Sequence, residues 1–203
     1  PLLCQVGRNL TLAAALGELE PVVQRDGEIE RTLDVLAKRQ GNSPCLVGVA
    51  GVGKTSVVRG LAGRIAQGQT LSDLDVRVVL EVDLTQLLAG TGVRGALAER
   101  IATLKAEVGR AEGRIVVFFD EVHRLFGSEA GDEAAGELRR ALARGELPCI
   151  GATTPEEYKK VIEADATLAR RFTPVEVVEL SPEASLAALA TVTPTLAEHH
   201  GAS

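Results

Sequence analysis

Gly48-Val49-Ala50-Gly51-Val52-Gly53-Lys54-Thr55 is a complete G-x4-G-K-T run, a pattern suited to cradling phosphates. Its glycines let the backbone fold so that successive N–H groups point inward, with Gly48, Ala50, Gly51, Val52, Gly53 and Ser56 supplying that backbone. A helix starting at the loop offers its positive N-terminal end to the same anion. Lys54 can reach the β- and γ-phosphates, and the Thr55 hydroxyl can ligate Mg2+. Downstream, Ile115-Val116-Val117-Phe118-Phe119-Asp120-Glu121 is an apolar strand ending in two carboxylates. Such a pair falls at the sheet edge where α/β folds bind ligands; Asp120 would hold the Mg2+ hydration shell and Glu121 would polarise an attacking water. Gly151-Ala152-Thr153-Thr154 closes the next strand, and the Thr154 hydroxyl can meet the γ-phosphate or the lytic water. Thr154-Pro155-Glu156-Glu157 also reads as a helix cap, and both roles can hold at once. Arg170-Arg171-Phe172 is either a solvated surface pair or an arginine finger for a neighbouring subunit's γ-phosphate.

Five β-like runs must position these residues, at 45–49, 76–82, 115–119, 148–153 and 175–180. Most are continuously apolar, as strands covered on both faces are. Helical periodicity fills the gaps: 26–40 (Ile29, Leu33, Leu36, with Asp26 as cap), 54–66 (Val57, Val58, Leu61, Ile65), 93–108 (Leu97, Ile101, Leu104, Val108) and 133–144 (Leu138, Leu142). Alternating strands and helices predict a three-layer α/β/α P-loop NTPase with a five-stranded parallel sheet. The loops fall at 90–95, 109–114 and 127–131, and Ser181-Pro182-Glu183 opens a last helix that runs to Ser203.

Composition narrows the function. The chain has 203 residues, 45% hydrophobic and 25% charged, enough for one domain with a real core. Only 2% are aromatic (four Phe, one Tyr, no Trp), so the core is aliphatic and no base-stacking platform is expected. A net charge of −6 argues against passive nucleic-acid binding. Helicase action, suggested by Asp120-Glu121-Val122-His123, would need a second RecA-like domain that this length does not hold. The three cysteines, Cys4, Cys45 and Cys149, are scattered without metal spacing and read as small hydrophobes in a reducing compartment. No apolar stretch reaches a membrane span and no secretory signal is evident, so the chain reads as cytosolic. Without methionine, Pro1 is a processed start or an internal boundary, and a segment of a longer protein is expected.

The order and spacing of these motifs resemble the first ATPase module of the Clp family of AAA+ unfoldases and disaggregases, the group that includes the type VI secretion ATPase. The resemblance begins at Gly17-Glu18-Leu19-Glu20-Pro21-Val22-Val23-Gln24-Arg25-Asp26, similar to the segment that wraps the adenine, and thus implies Val22 and Val23 in binding. It continues through Pro44, the glycine loop, Asp120-Glu121-Val122-His123, Ala141-Leu142-Ala143-Arg144-Gly145-Glu146-Leu147, Gly151-Ala152-Thr153-Thr154, Glu157-Tyr158-Lys159-Lys160, Leu168-Ala169-Arg170-Arg171-Phe172 and His199-His200-Gly201. It implies that Lys54, Thr55, Asp120 and Glu121 are the Walker residues, that Thr154 is sensor 1, and that Arg170 and Arg171 are trans-acting fingers. It also implies an AAA+ large subdomain over 1–180 and the start of a helical linker or lid over 181–203, the lid itself being largely absent. ATP and Mg2+, a hexameric homo-oligomeric ring, a polypeptide substrate or adaptor, and neither nucleic acid nor membrane span follow by the same resemblance.

The chain departs from the family in its pore-loop stretch, Gly90-Thr91-Gly92-Val93-Arg94-Gly95, where Val93 replaces a substrate-gripping Tyr and Ala96 and Leu97 replace Glu and Phe. The lost ring area is worth about 1–2 kcal/mol per loop. Ala50 and Ala169 lean towards the secretion branch. The leading expectation is ATP-driven remodelling of proteins; the alternative is a nucleotide-gated assembly or regulatory module with little threading.

Overall fold

The apolar runs assemble into one six-stranded sheet in the computed structural model, which describes residues 1–70, 77–89, 96–126 and 132–182. The strands are β1 (Gly7–Asn9), β2 (Ser43–Val47), β3 (Val78–Val82), β4 (Ile115–Phe119), β5 (Cys149–Thr153) and β6 (Phe172–Glu176), in the spatial order β1-β3-β4-β5-β2-β6. β2 to β6 are parallel, as expected of buried apolar runs. The sixth strand is a correction to the expected five. β1 pairs antiparallel with β3, Gly7 opposite Val82, and Gly7-Arg8-Asn9 carries no apolar run that could announce it. It is a strand because it covers the open edge of β3.

Successive strand residues enter opposite cores. On β4, Val116 and Phe118 join one apolar cluster while Val117 and Phe119 join the other. Cys45 and Leu46 of β2 divide in the same way, as do Cys149 and Ile150 of β5. The first core is closed by α2 (Leu10–Ala15), α3 (Asp26–Leu36) and α4 (Lys54–Ala66). The second is closed by α1 (Leu2–Val6), α5 (Leu84–Leu88), α6 (Ala96–Arg110), α7 (Asp132–Arg144) and α9 (Ala166–Ala169). A one-turn α8 (Pro155–Glu157) and a π-helical stretch, Tyr158–Glu163, precede α9. Every apolar position assigned to helix faces from periodicity is buried, including Ile29, Leu33 and Leu36 on α3 and Leu97, Ile101, Leu104 and Val108 on α6. All four phenylalanines are core residues.

Boundaries moved where polar contacts or prolines intervene. α3 stops at Leu36, not residue 40, before the chain turns at Gly41 (φ +60°) into β2. Asp26, expected to cap α3, is its first helical residue and its carboxylate meets Arg64 at 2.6 Å. The first and last parallel strands start earlier than apolar content suggests, because Pro44 and Pro174 interrupt it. Pro44 lies outside the β5 register, which starts at Cys45, and β6 is an edge strand, where a missing N–H is tolerated. The expected helix after Ser181, the loops at 90–95 and 127–131, the start of the 76–82 run, Val93 and His199-His200-Gly201 lie outside the described residues.

Cys4 is exposed, whereas Cys45 and Cys149 are buried in the second core. Burial pushes the Cys149 thiol up to about 12, and Cys45 still higher, with the neighbouring Cys149 adding to the rise and Lys54 opposing it. Neither forms thiolate near neutrality. Iodoacetamide at pH 8 should therefore label one thiol per native chain and three after denaturation; rapid labelling of Cys45 or Cys149 in the native protein would contradict this packing.

Candidate active site

The turn after β2 folds back on itself because three glycines allow it. Gly51 (φ +77°) and Gly53 (φ +100°) occupy the left-handed region, and α4 begins immediately after them at Lys54. At Gly48 the constraint is space: a Cβ there would sit 2.4 Å from the Val177 carbonyl oxygen and 2.8 Å from a Val52 methyl. The Gly48 N–H donates to the Thr153 carbonyl at 3.2 Å, so the loop is anchored on the end of β5. Lys54 Nζ lies over the loop, donating to the carbonyls of Gly48 (2.8 Å) and Val49 (2.9 Å).

The first turn of α4 meets the acidic strand. Thr55 Oγ1 donates to Asp120 Oδ2 at 3.1 Å, while Asp120 Oδ1 accepts from the Glu121 N–H at 2.9 Å. Asp120 is thereby oriented from both sides. Glu121 holds φ +49°, a left-handed backbone that costs a non-glycine residue about 1 kcal/mol. That turn swings its exposed carboxylate out from the strand axis, 3.4 Å from the Arg124 guanidinium. The following 3-10 turn, Val122–Leu125, brings His123 Nδ1 within 2.9 Å of the buried Thr153 hydroxyl. Thr154 caps α8, its hydroxyl accepting from the Glu157 N–H at 3.3 Å, so the cap seen in the sequence is present.

Ala50, Gly51, Gly53, Lys54, Thr55 and Ser56 line a cavity of about 780 Å3 together with Asp120, Glu121 and Thr154. Other expected residues lie elsewhere. Gly48 and Val52 support the loop from outside this cavity. Val22 and Val23 are half-buried and do not line it; Val22 packs beside Gly60 of α4. Arg170 and Arg171 are at the far end of the sheet. Phe172 pairs with Ser43 at the start of β2, whereas the glycine loop follows its end. Five residues of strand separate the two, about 17 Å, so these arginines do not reach their own chain's loop. Arg170 is exposed, and the Arg171 guanidinium donates to the Ala143 carbonyl. Arg39 and Arg144 line the same cleft.

Four contributors carry no functional role legible in the sequence pattern. Arg8 and Asp83 line the cavity because antiparallel β1 begins, and β3 ends, beside it. His123 joins the acidic turn to β5. Arg25 is a buried guanidinium beneath the loop, only 5% exposed. A charged side chain carries no sequence mark of burial, so nothing short of the fold singles it out.

The pattern of the family described as "ATPase family associated with various cellular activities (AAA)" matches residues 44–180. Chaperone protein ClpB of Rhodopseudomonas palustris is 47% identical over 197 residues, 96% of this chain and 22% of that protein. Chloroplastic chaperone protein ClpC3 of Oryza sativa subsp. japonica is 44% identical over 203 residues, 98% of this chain and 22% of that protein. The chain thus spans about a fifth of the curated relatives it matches. Among solved structures, the S. cerevisiae Hsp104:casein complex in its extended conformation superposes with a TM-score of 0.90 at 38% identity, over 99% of this chain and 34% of that one. The S. cerevisiae Hsp104-ADP complex gives 0.91 at 38% identity, over 98% and 34%.

The Gly48 contact sets a sharp test. Gly48→Ala should lower stability by about 1–3 kcal/mol, because the added methyl meets backbone rather than a movable side chain. Gly63→Ala on α4, where a Cβ meets nothing within 4 Å, should raise stability by about 0.5–1 kcal/mol. Urea denaturation of the two variants reads both signs.

Proposed function

We propose that this chain, which belongs to the AAA family of ATPases, binds ATP at the Gly48–Thr55 loop and hydrolyses it with Glu121 as the base. The observation that carries this reading is the 3.1 Å contact between the Thr55 hydroxyl and the Asp120 carboxylate, with Glu121 next along the same sheet edge. It joins the phosphate loop to the acidic strand in one cavity.

The chain's own groups divide the work. Inward N–H groups of the loop and the α4 N-terminus bind the phosphates, and Lys54 leaves its carbonyl partners to meet the β- and γ-oxygens. Thr55 and Asp120 present two hard oxygen donors, a small set that suits Mg2+, which keeps several waters and takes phosphate oxygens as its other ligands. Bound there, Mg2+ would neutralise charge on the phosphates. Glu121 orients and polarises the attacking water, and Thr154 fixes that water or the γ-phosphate from the adjoining strand. Val22 and Val23 enclose the base by analogy with the family's segment. Arg170 and Arg171, too far from their own loop, act on the γ-phosphate of a neighbouring copy.

In the whole protein, the module drives chaperone-type remodelling of polypeptides within a hexameric ring, handling a protein substrate or adaptor and not nucleic acid. Support comes from the ClpB and ClpC relatives and from the casein named with the Hsp104 structure. Residues 1–180 are the large subdomain and 181–203 start the linker or lid. Among the described residues no helix is long and apolar enough to cross a membrane. The two buried free thiols favour the cytosol as its site of action.

Glu121→Gln should lower ATP turnover by about 100-fold or more while ATP binding stays within a few-fold of the parent. Full activity in that variant would remove Glu121 as the base. Lys54→Ala should weaken ATP binding itself, read by isothermal titration. Glu121→Gln and the Arg170→Ala/Arg171→Ala double variant should each be slow alone and recover turnover when mixed, since one supplies fingers and the other an intact base. Lack of recovery in mixtures shown to co-assemble would count against action in trans.

A further inference from the structure

Arg25 is a buried charged side chain next to the glycine loop that carries none of the roles above. It enters the interior because Gln24 adopts a left-handed backbone (φ +61°) just before α3. A buried guanidinium requires a counter-charge, and Glu28, one turn along α3, supplies it at 2.8 Å. The remaining donors meet backbone on two other segments. One arm donates to the carbonyl of Val52 in the glycine loop, and the other to the carbonyl of Val178, just past β6, at 2.8 Å. The guanidinium lies close under Gly53, where a Cβ would be 3.4 Å from its terminal nitrogen.

We propose that Arg25 is a positioning residue for the phosphate cradle, holding the Val52 carbonyl outward so that the Gly53 N–H is presented inward to the phosphates of a nucleoside di- or triphosphate. The warrant is peptide geometry. A planar trans peptide points its C=O and N–H in opposite directions, so fixing one fixes the other. Each loop carbonyl turned away from the anion needs a partner outside it, and Arg25 is that partner for the Val52–Gly53 peptide. A charge-assisted bond in a buried site holds this orientation more tightly than water would. Because the same guanidinium holds Val178, the cradle and the chain leaving β6 are clamped to one another. The inference rests on 48–55 being the phosphate cradle.

The test is ADP binding with Mg2+ to the 203-residue chain, by isothermal titration and by the amide spectrum of Gly53. Arg25→Lys keeps the charge but loses the two-armed fork, and should raise the ADP dissociation constant about tenfold and displace the Gly53 amide signal. Glu28→Gln removes the ion pair while leaving both carbonyl contacts, and should lower the melting temperature while holding ADP affinity within about twofold. Arg25→Lys binding ADP as the parent does, with the Gly53 signal unmoved, overturns the proposal. So does an equal loss of affinity in Glu28→Gln, which would mean that stability alone is at work. If Arg25→Lys does not fold, the parent decides: the Arg25 guanidinium and Gly53 amide signals should shift with one midpoint during ADP titration, and a static guanidinium overturns the role. Failure of the parent chain to bind ADP would instead overturn the cradle reading, and this inference with it.

Discussion

Thr153 holds the two halves of the site together. It ends β5, the strand lying between the loop-bearing β2 and the acidic β4. Its carbonyl accepts from Gly48 on one side, and its buried hydroxyl meets the His123 ring on the other. Strand spacing of about 4.8 Å places β2 and β4 roughly 10 Å apart at this edge. Thr55 and Asp120 reach across that gap, and their contact depends on both flanks being latched to the same strand. Thr55, Asp120 and Glu121 therefore inherit their positions from the middle of a packed sheet and not from flexible loops. That is the arrangement a preorganised electrostatic site needs.

The glycine loop is supported from beneath as well as framed at the edge. Val177 fits against Gly48 with no room for a methyl, and Arg25 fills the space under Gly53. The segment leaving β6 is thus in van der Waals contact with the first glycine of the loop and hydrogen-bonded to the guanidinium that holds its fifth residue. Movement of one requires repacking of the other. Meanwhile Arg170 and Arg171, at the opposite end of the same pair of strands, are separated from the loop by the length of β2. One chain carries the glycine loop and the arginine pair proposed as fingers, but does not bring them together.

Much of this was legible in the residues. The continuously apolar β4 and the i, i+4, i+7 spacing on α6 left little choice of element, and the G-x4-G-K-T run fixed the loop between β2 and α4. What escaped had no local signature. β1 owes its existence to an unpaired edge far along the chain, and α1, α2 and α5 are too short for periodicity to register. The prolines at 44 and 174 concealed strand starts that tertiary pairing tolerates. Asp26 looked like a cap, yet Arg64 on the neighbouring helix claims its carboxylate. Arg25 was visible as a letter within a motif, but its burial and two of its three partners come from segments about 27 and 153 residues away. Residues 90–95 and 183–203, where a pore loop and a lid were expected, lie outside the described residues.

The left-handed backbone at Glu121 sets selection on stability against selection on function. Glycine would adopt that conformation without penalty, and asparagine nearly so, whereas glutamate holds it at a cost of about 1 kcal/mol. The left-handed non-glycine position at this sheet edge is thus also the one proposed as the base. A descendant freed from turning over nucleotide would gain stability by losing this carboxylate, giving up only its exposed contact with Arg124. On the role proposed for Glu121, glutamate at a position whose backbone favours glycine is the mark that turnover leaves on the chain.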